Sequence, residues 1–361
     1  MRHLKVLISF YVYSTNLFNN DLSDFMVTIY DLARETGFSA PTISKALNGN
    51  GRLNKETREK ILKAAEKAGY KPNMAAKSLS TKQSKLIGVI LEDASMNRGF
   101  EHPLFGGLLN KFRKEIEMAG YDLLFLSKHF NGGMSYIDHC IYRDVDGIIV
   151  VNPIDEDPEI AKLGESGIPC ISTNEFIDGV CTVVSENFES GVLAAKKFVE
   201  AGHKKIGYLS APFRKTSPAA KERFDGFVKG LADCGISFDD KNYEICDHWN
   251  EEAGFKGMEK LLSHSEEITA LFVTCDTLAF GAISYLEKIG KKVPDDISMI
   301  GFDDDDLVMP SNLFLSTFRQ NRDKIAELSA ELLLNKISGI PGPDIVRVPT
   351  EFIERSSIKN Y

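Results

Sequence analysis

The chain has 361 residues, of which 43% are hydrophobic and 26% charged, so it is globular in composition and longer than one ordinary domain. Its formal charge is −9, and no apolar run approaches the ~20 residues that span a bilayer, which excludes a membrane-embedded chain. The six cysteines, at 140, 170, 181, 234, 246 and 275, include no Cys-x-x-Cys pair and sit mostly in apolar strands, which excludes a disulfide framework and fits reduced core thiols of a cytosolic protein.

Residues 1–25 open with positive charge and hold a short apolar run from Val6 to Tyr13. They resemble a weak secretory signal, but no small-residue cleavage site follows. The expectation is an upstream extension without fixed structure, with translation starting at Met26. An intact mass of the native protein that begins at residue 1 would overturn it.

From Val27 the pattern is three short helices. Thr28 is an N-cap with Asp31 three residues on, a carboxylate form of the capping box, and Ile29, Leu32 and Ala33 share one apolar face. Gly37 breaks that helix. Ser39 caps a second, whose early Pro41 is tolerated because first-turn amides have no intrahelical acceptor; Ile43, Ala46 and Leu47 face inward. Two helices around a tight glycine turn make a helix-turn-helix. Ala40, Pro41, Thr42, Ser44 and Lys45 face outward, and such residues read base edges and phosphates in the major groove. After the Asn48-Gly49-Asn50-Gly51 loop, Asn54 caps a third helix running to about Ala68, with Ile61, Leu62 and Ala65 closing a small core and Gly69 as the stop. Pro72-Asn73 then restarts the chain as MAAKSLS, a short helix with no core of its own.

Charge separates this head from the rest. Between Met26 and Lys85 there are 12 Lys and Arg against 5 Asp and Glu, a net of +7, whereas residues 1–25 balance and residues 86–361 carry −16. A basic head on an acidic body is the footprint of a nucleic-acid reader whose remaining part avoids DNA.

The runs TIYDLARETGFSAPTISKALNG, TREKILKAAEKAGYKPN and AAKSLSTKQSKLIGVI resemble the N-terminus of the lactose/galactose repressor (LacI/GalR) family of bacterial transcriptional regulators. The likeness continues in GIIVV, EAGHKKIGYL, RFDGF, DDISMIGFDD, LSTFRQ and IERSS, over roughly residues 26–357. The resemblance puts Ala40, Pro41 and Lys45 at base-reading positions. It places Leu79 where the family's hinge helix wedges a leucine into the minor groove, with Ala76 one turn before. Thr28, Tyr30, Ser39, Thr42, Ser44, Asn48, Asn73 and Lys77 complete the expected DNA-contacting set. An apolar wedge unstacks a base step for a few kcal/mol and kinks the duplex onto more protein surface. Ala40 departs from the bulky or polar residues frequent there in relatives; with Pro41 it offers apolar contacts, for instance to a thymine methyl.

From Leu86 the period changes. LIGVIL, YDLLFLS, DGIIVV, PCIST and TVVSEN read as strands, with helices near 105–119, 135–142 and 159–165 between them. The pattern repeats with helix 188–201, KIGYLSA, helix 218–234, YEICDH, helix 251–262, ITALFVTC, helix 277–289, DISMIGF, and LSTFRQ leading to helix 321–337. Alternating strands and helices argue parallel sheets covered on both faces, in two lobes with a cleft beyond the strand carboxyl ends.

The resemblance specifies the whole fold: an N-terminal all-α helix-turn-helix DNA-binding domain (26–72), a hinge helix and linker (73–85), and an α/β two-lobed periplasmic-binding-protein-like domain with parallel sheets (86–361). The chain is expected to cross between lobes near Asn187, Arg319 and Gly342, giving lobe 1 about 86–187 and 319–342, and lobe 2 about 188–318 and 343–361. Strand carboxyl ends point to Glu92, Asn174, Cys275 and Asp303 as cleft residues, and helix starts add Phe105 and Arg223. By resemblance, Asn174, Arg223 and Asp303 are hydrogen-bonding partners of an effector, and Trp249, the single tryptophan, lies beside a sugar ring. Two plainer readings stand beside these: Arg223 and Asp303 as a structural ion pair, and Trp249 as a core aromatic. Relatives often carry Asp at position 174 and Asn at 275, so a different hydroxyl pattern is expected.

Other constellations are weaker. The acidic run Asp303–Asp306 lacks the Asp-x-Asp-x-Asp-Gly loop of a calcium site. His139 with Cys140, and Cys246 with His248, have no second half at zinc-ligand spacing. No dinucleotide fingerprint, phosphate-loop lysine motif or Gly-x-Ser-x-Gly elbow is present, so neither enzyme, cofactor nor metal is expected.

The expected protein is therefore a cytoplasmic homodimeric repressor of carbohydrate genes. It binds a near-palindromic double-stranded operator and is governed by a small molecule, a sugar or sugar derivative, that orders or melts residues 73–80 through the lobe angle. If about eight phosphates are contacted per dimer, affinity falls with a log–log salt slope of roughly −7. The rivals are the same architecture with a purine or protein corepressor, and a sugar-binding transport protein. No leucine heptads follow Ile353, so a coiled-coil tetramer is not expected.

Overall fold

The structure is a computed structural model and describes residues 27–49, 52–71, 83–92, 99–128, 132–154, 156–265, 267–305 and 314–361. It divides into two compact units, residues 1–82 and 83–361. Residues 1–25 and the anticipated hinge helix, with Asn73, Ala76, Lys77 and Leu79, lie outside the described residues, as does Asp306.

In the first unit, α1 (Ile29–Thr36), α2 (Ala40–Leu47) and α3 (Lys55–Lys67) surround Leu32, Ile43, Ala46, Ile61 and Ala65. The capping box forms in full: Asp31 N donates to Thr28 Oγ1 at 3.3 Å and Thr28 N donates to Asp31 Oδ2 at 2.9 Å. Gly37 closes α1 at φ 73°, a left-handed conformation that glycine takes without a Cβ clash. Asn54 caps α3 by accepting from Glu56 N at 3.1 Å. Two expectations change. Ser39 occupies the N-cap of α2, but its hydroxyl meets Thr42 Oγ1 at 2.8 Å instead of a first-turn amide. Leu62 is 45% exposed, because it stands about 100° round the helix from Ile61, which with Ala65 takes the inward face.

The second unit holds two parallel sheets. The first contains β1 (Leu86–Leu91), β2 (Asp122–Phe125), β3 (Gly147–Val151), β4 (Cys170–Thr173), β5 (Cys181–Ser185) and β11 (Ile345–Val348), in the order β11-β5-β4-β3-β1-β2. Helices α4 (Pro103–Met118), α5 (Tyr136–Arg143), the single turn α6 (Pro158–Ala161) and α11 (Arg322–Ile337) belong with it, and buried clusters fill both its faces. The second sheet contains β6 (Ile206–Ser210), β7 (Tyr243–Ile245), β8 (Ala270–Val273) and β9 (Ser298–Ile300), in the order β7-β6-β8-β9. Here α7 (Asn187–Glu200) and α8 (Ala219–Asp233) cover one face, and α9 (Glu251–His264) and α10 (Asp276–Lys288) the other. An antiparallel ribbon pairs β10 (Thr317–Arg319) with β12 (Glu351–Ile353).

These pairings show where the chain changes lobe. It does so between β5 and α7, between β10 and α11, and between β11 and β12. The last falls at Pro349–Thr350 and not near Gly342, because Ile345–Val348 is hydrogen-bonded beside β5 in the first sheet.

The cysteines are all free, but only Cys170 and Cys181 lie in strands. Cys140 is in α5, Cys246 follows β7 and Cys275 is the N-cap of α10; these are buried, while Cys234 at the end of α8 is exposed. Burial pushes the Cys140, Cys170 and Cys246 thiols up to about 12.

Candidate functional site

Both sheets reverse their strand order at one point: β1 lies between β2 and β3, and β6 between β7 and β8. Ligand crevices form outside the carboxyl ends of strands at such switch points. Three polar residues just beyond strand ends, Asn152, Asn174 and Asp303, hold φ of 45°, 66° and 117°. Asn and Asp enter that region more readily than other side-chain-bearing residues, and backbone strain of this kind gathers at ligand sites.

Between the lobes lies a chamber of about 70 Å³ lined by His102, Leu104, Phe105, Asn152, Asn174, Glu175, Arg214, Ser217, Ala219, Arg223, Trp249, Asp303 and Gln320. A second cavity of about 600 Å³ shares Leu104, Asp303 and Gln320 with it and reaches the crossings at Asn321–Arg322 and Pro349–Glu351. The chamber thus brings together Phe105, Asn174, Arg223, Trp249 and Asp303. Cys275 does not line it; this side chain turns into the core of the second lobe. Glu92 is not on the wall either, and its carboxylate accepts a hydrogen bond from Tyr136 Oη at 2.8 Å.

Arg223 is 3% exposed and held on three sides. Its Nε donates to Asn187 Oδ1 at 2.9 Å, its Nη1 to Thr274 O at 2.6 Å, and its guanidinium lies 3.4 Å from the Phe302 ring centroid. Nη2 has no hydrogen-bond partner among the described residues. The helix that carries Arg223 is fixed by close approach: a Cβ on Gly226 would stand 2.0 Å from Phe188 O, and one on Gly191 2.2 Å from Arg223 O. α7 and α8 therefore meet backbone to backbone.

Asp303 is bound by Gln320 Nε2 at 2.6 Å and forms no ion pair with Arg223 among the described residues. Burial raises its carboxyl to about 6, with the Arg223 charge and the Gln320 bond pulling the other way. Asp276 behind it is raised well above the carboxylate range, first by burial and next by the Asp303 charge; its Oδ1 accepts from Thr317 Oγ1 at 2.8 Å. A guanidinium edge, a carboxylate, the Asn174 amide and an aromatic face thus converge on one space, a set that can donate to and accept from hydroxyls while an apolar ring edge is covered. Trp249 also packs against the core of the second lobe, so its core and wall readings hold together.

Sequence reasoning missed Asn152, Glu175, Arg214, Ser217 and Gln320. Asn152 and Gln320 stand one residue past strand ends and Glu175 two, a signal that was available; Arg214 and Ser217 are visible only once the loops meet.

In the first unit, Tyr30, Ser39, Pro41, Lys45 and Asn48 are exposed and Ala40, Thr42 and Ser44 half-buried. Asn48 Nδ2 donates to Ser44 Oγ at 3.2 Å, so the hydroxyls along α2 are held in pairs. Thr28 Oγ1 also donates to Asp31 Oδ2 at 2.6 Å, and these bonds hold the Asp31 carboxyl below its usual range. Lys45 has no ion-pair partner among the described residues.

No described helix is long and apolar enough to cross a membrane, and no group of three or more His, Cys, Asp or Glu among the described residues is placed to hold a metal.

The model of bacterial regulatory proteins of the lacI family matches residues 28–73, and that of the periplasmic binding protein-like domain matches residues 195–358. The probable HTH-type transcriptional repressor ExuR of Bacillus subtilis (strain 168) is 31% identical over 345 residues, covering 92% of this chain and 99% of that protein. The lac repressor dimer bound to operator and the anti-inducer ONPF is similar in fold, with TM-score 0.76 and 23% identity over 92% of this chain and 99% of the other. A LacI family regulator from Enterococcus faecium with bound ribose aligns at TM-score 0.65 and 25% identity, covering 76% of this chain and 99% of that one. With helix-turn-helix, two-lobed body and near full-length likeness to a repressor in agreement, the chain belongs to the lacI family of bacterial regulatory proteins.

Proposed function

We propose that this transcriptional regulator represses carbohydrate-utilisation genes in the cytoplasm as a homodimer on a near-palindromic operator, and that a neutral polyhydroxylated molecule between its lobes controls it. The observation that carries the effector reading is the convergence of Arg223 Nη2, Asp303, the Asn174 side chain and Trp249 on one chamber at two switch points. Nε of Arg223 is spent on Asn187 and Nη1 gives one bond to Thr274 O, so the side-on Nε–Nη2 fork that grips a carboxylate or phosphate bidentately is closed. One donor edge beside one carboxylate suits a pair of hydroxyls.

Pro41, Thr42, Ser44 and Lys45 on α2 are the proposed readers of the major groove, with Leu79 as the minor-groove wedge. The operator-bound dimer of the lac repressor and the ribose-bound Enterococcus faecium regulator support both halves of this reading by analogy. Coupling between effector and operator in such a device is typically 1–3 kcal/mol.

The test is a titration of full-length protein, followed by Trp249 emission, with a panel of neutral sugars, sugar phosphates and nucleobases. A saturable response to neutral sugars that also changes operator retention in a gel shift is the expected outcome. A response confined to nucleobases transfers the site to a purine, and one confined to sugar phosphates removes the argument from the occupied Arg223 fork.

A further inference from the structure

The chamber wall also carries a contact that joins the two lobes directly. The segment after β6 in the second lobe lies against the loops that follow β3 and β4 in the first. Arg214 Nη2 donates to Pro153 O at 2.7 Å, Nη1 donates to Asn152 Oδ1 at 3.2 Å, and the guanidinium pairs with Glu175 at 3.1 Å. Two neighbouring bonds join the same elements: Phe176 N donates to Thr216 O at 2.8 Å, and Ser217 Oγ to Asn174 O at 3.1 Å.

The side chains of Arg214 and Glu175 are 15% and 1% exposed, so this pair is shielded from solvent. Separating the lobes takes from one guanidinium three acceptors on two loops, and from a buried carboxylate its cation. A planar fork presents its donors to such acceptors in a fixed geometry that a lysine ammonium does not reproduce. The nearby pair Lys215–Glu156, at 3.3 Å, is 80% and 61% exposed, and surface pairs of that kind contribute little.

We propose that Arg214, seated on Glu175, is a positioning residue that clasps the two lobes across the effector chamber and biases them toward the closed arrangement with no ligand present. The clasp does not depend on what the chamber binds. A ligand that favours open lobes works against it, and one that favours closed lobes is assisted by it.

Trp249 lines the same chamber and is the single tryptophan, so it reports opening without any ligand. The experiment compares acrylamide quenching of Trp249, and hydrogen exchange of segments 174–177 and 211–218, in full-length wild type, Arg214→Ala, Arg214→Lys and Lys215→Ala, with circular dichroism as the folding control. In Arg214→Ala the quenching constant rises about twofold and Phe176 N–H exchanges about tenfold faster, while the global unfolding temperature stays near wild type. Arg214→Lys follows Arg214→Ala, and Lys215→Ala follows wild type. Wild-type quenching and exchange in a folded Arg214→Ala protein overturn the proposal, as does equal opening in Lys215→Ala. Should Arg214→Ala fail to fold, Glu175→Gln, which keeps the shape and removes the charge, is expected to raise both readouts partway, and wild-type values there overturn it equally. If no compound shifts Trp249 emission, the effector reading fails while these measurements stand.

Discussion

The head and the body of this protein are stabilised on different scales. Among the described residues, the head closes on five buried side chains from three short helices, whereas one face of the second sheet alone packs a cluster of 20. Little apolar area is removed from water in the head, so its caps and its few inward residues each carry a large share of its stability. The body spreads its burial over two sheets covered on both faces and leaves polar, strained residues such as Asn174 and Asp303 at the cleft. Reading DNA needs an exposed polar helix on a minimal base; holding a ligand needs a large base that tolerates local strain.

The sharpest way to break this comparison is Leu32→Ala. Removing a fully buried leucine costs about 2–5 kcal/mol, comparable with all the stability a domain of this size has. Operator binding in a gel shift should vanish while the thermal transition of the body stays in place. Retained operator affinity would mean that the head borrows stability from elsewhere.

The counterpart in the body is Gly226→Ala. Its Cβ meets a backbone carbonyl, Phe188 O, so α7 and α8 must separate; overpacking of this kind costs about 1–3 kcal/mol. Urea unfolding of the body should shift by that amount with operator binding preserved at low temperature, and the displaced Arg223 should weaken any effector response. An unchanged midpoint would show that the two helices are less tightly set than their glycines imply.

On the head, Lys45→Ala removes an exposed cation without touching the core. A loss of about 1–3 kcal/mol in operator affinity, with no change in either unfolding transition, is expected from a groove contact. A uniform loss across unrelated DNA sequences, with a salt slope reduced by about one per head, would reassign Lys45 from base to phosphate.

The same contrast governs what could be read from sequence. In the head nearly everything is local, so the Thr28–Asp31 box, the Gly37 stop and the Asn54 cap were legible as written. Leu62 failed because four apolar positions in five, Ile61 to Ala65, do not say which one turns out. In the body, β1 to β9 announced themselves as apolar runs, but β11 and β12 did not. They are three to four residues long with only Val348 buried, and partners far away in the chain define them. The last crossing was misplaced for that reason. Strand-end logic pointed to Asn174 and Asp303, which line the chamber, but also to Glu92 and Cys275, which do not; the place of Cys275 at the start of α10 directs it into the core. Arg214 was beyond reach, because its role exists only where two loops from different lobes meet; Gln320, one residue past β10, was not.

The smallest expected effect tests whether the body really bears strain at its cleft. Burial raises the Asp303 carboxyl to about 6 against an ordinary value near 4, so the folded state binds this proton more tightly than the unfolded one. The stabilising contribution of that proton is complete below about pH 4 and is lost as pH rises through 6; above that, ionised Asp303 opposes folding. Asp303→Asn keeps an acceptor for Gln320 and removes the titration. The variant should match wild type within about 0.5 kcal/mol at pH 4 and exceed it by about 1–2 kcal/mol at pH 7. The pull of the Arg223 charge is already contained in that net shift. Effector binding should weaken at the same time, as expected of a residue kept for ligand contact at the expense of stability. A difference that does not vary between pH 4 and pH 7 would mean Asp303 is an ordinary solvated carboxylate, and one that reverses sign would mean Arg223 and Gln320 outweigh burial; either removes the cost assigned to this residue.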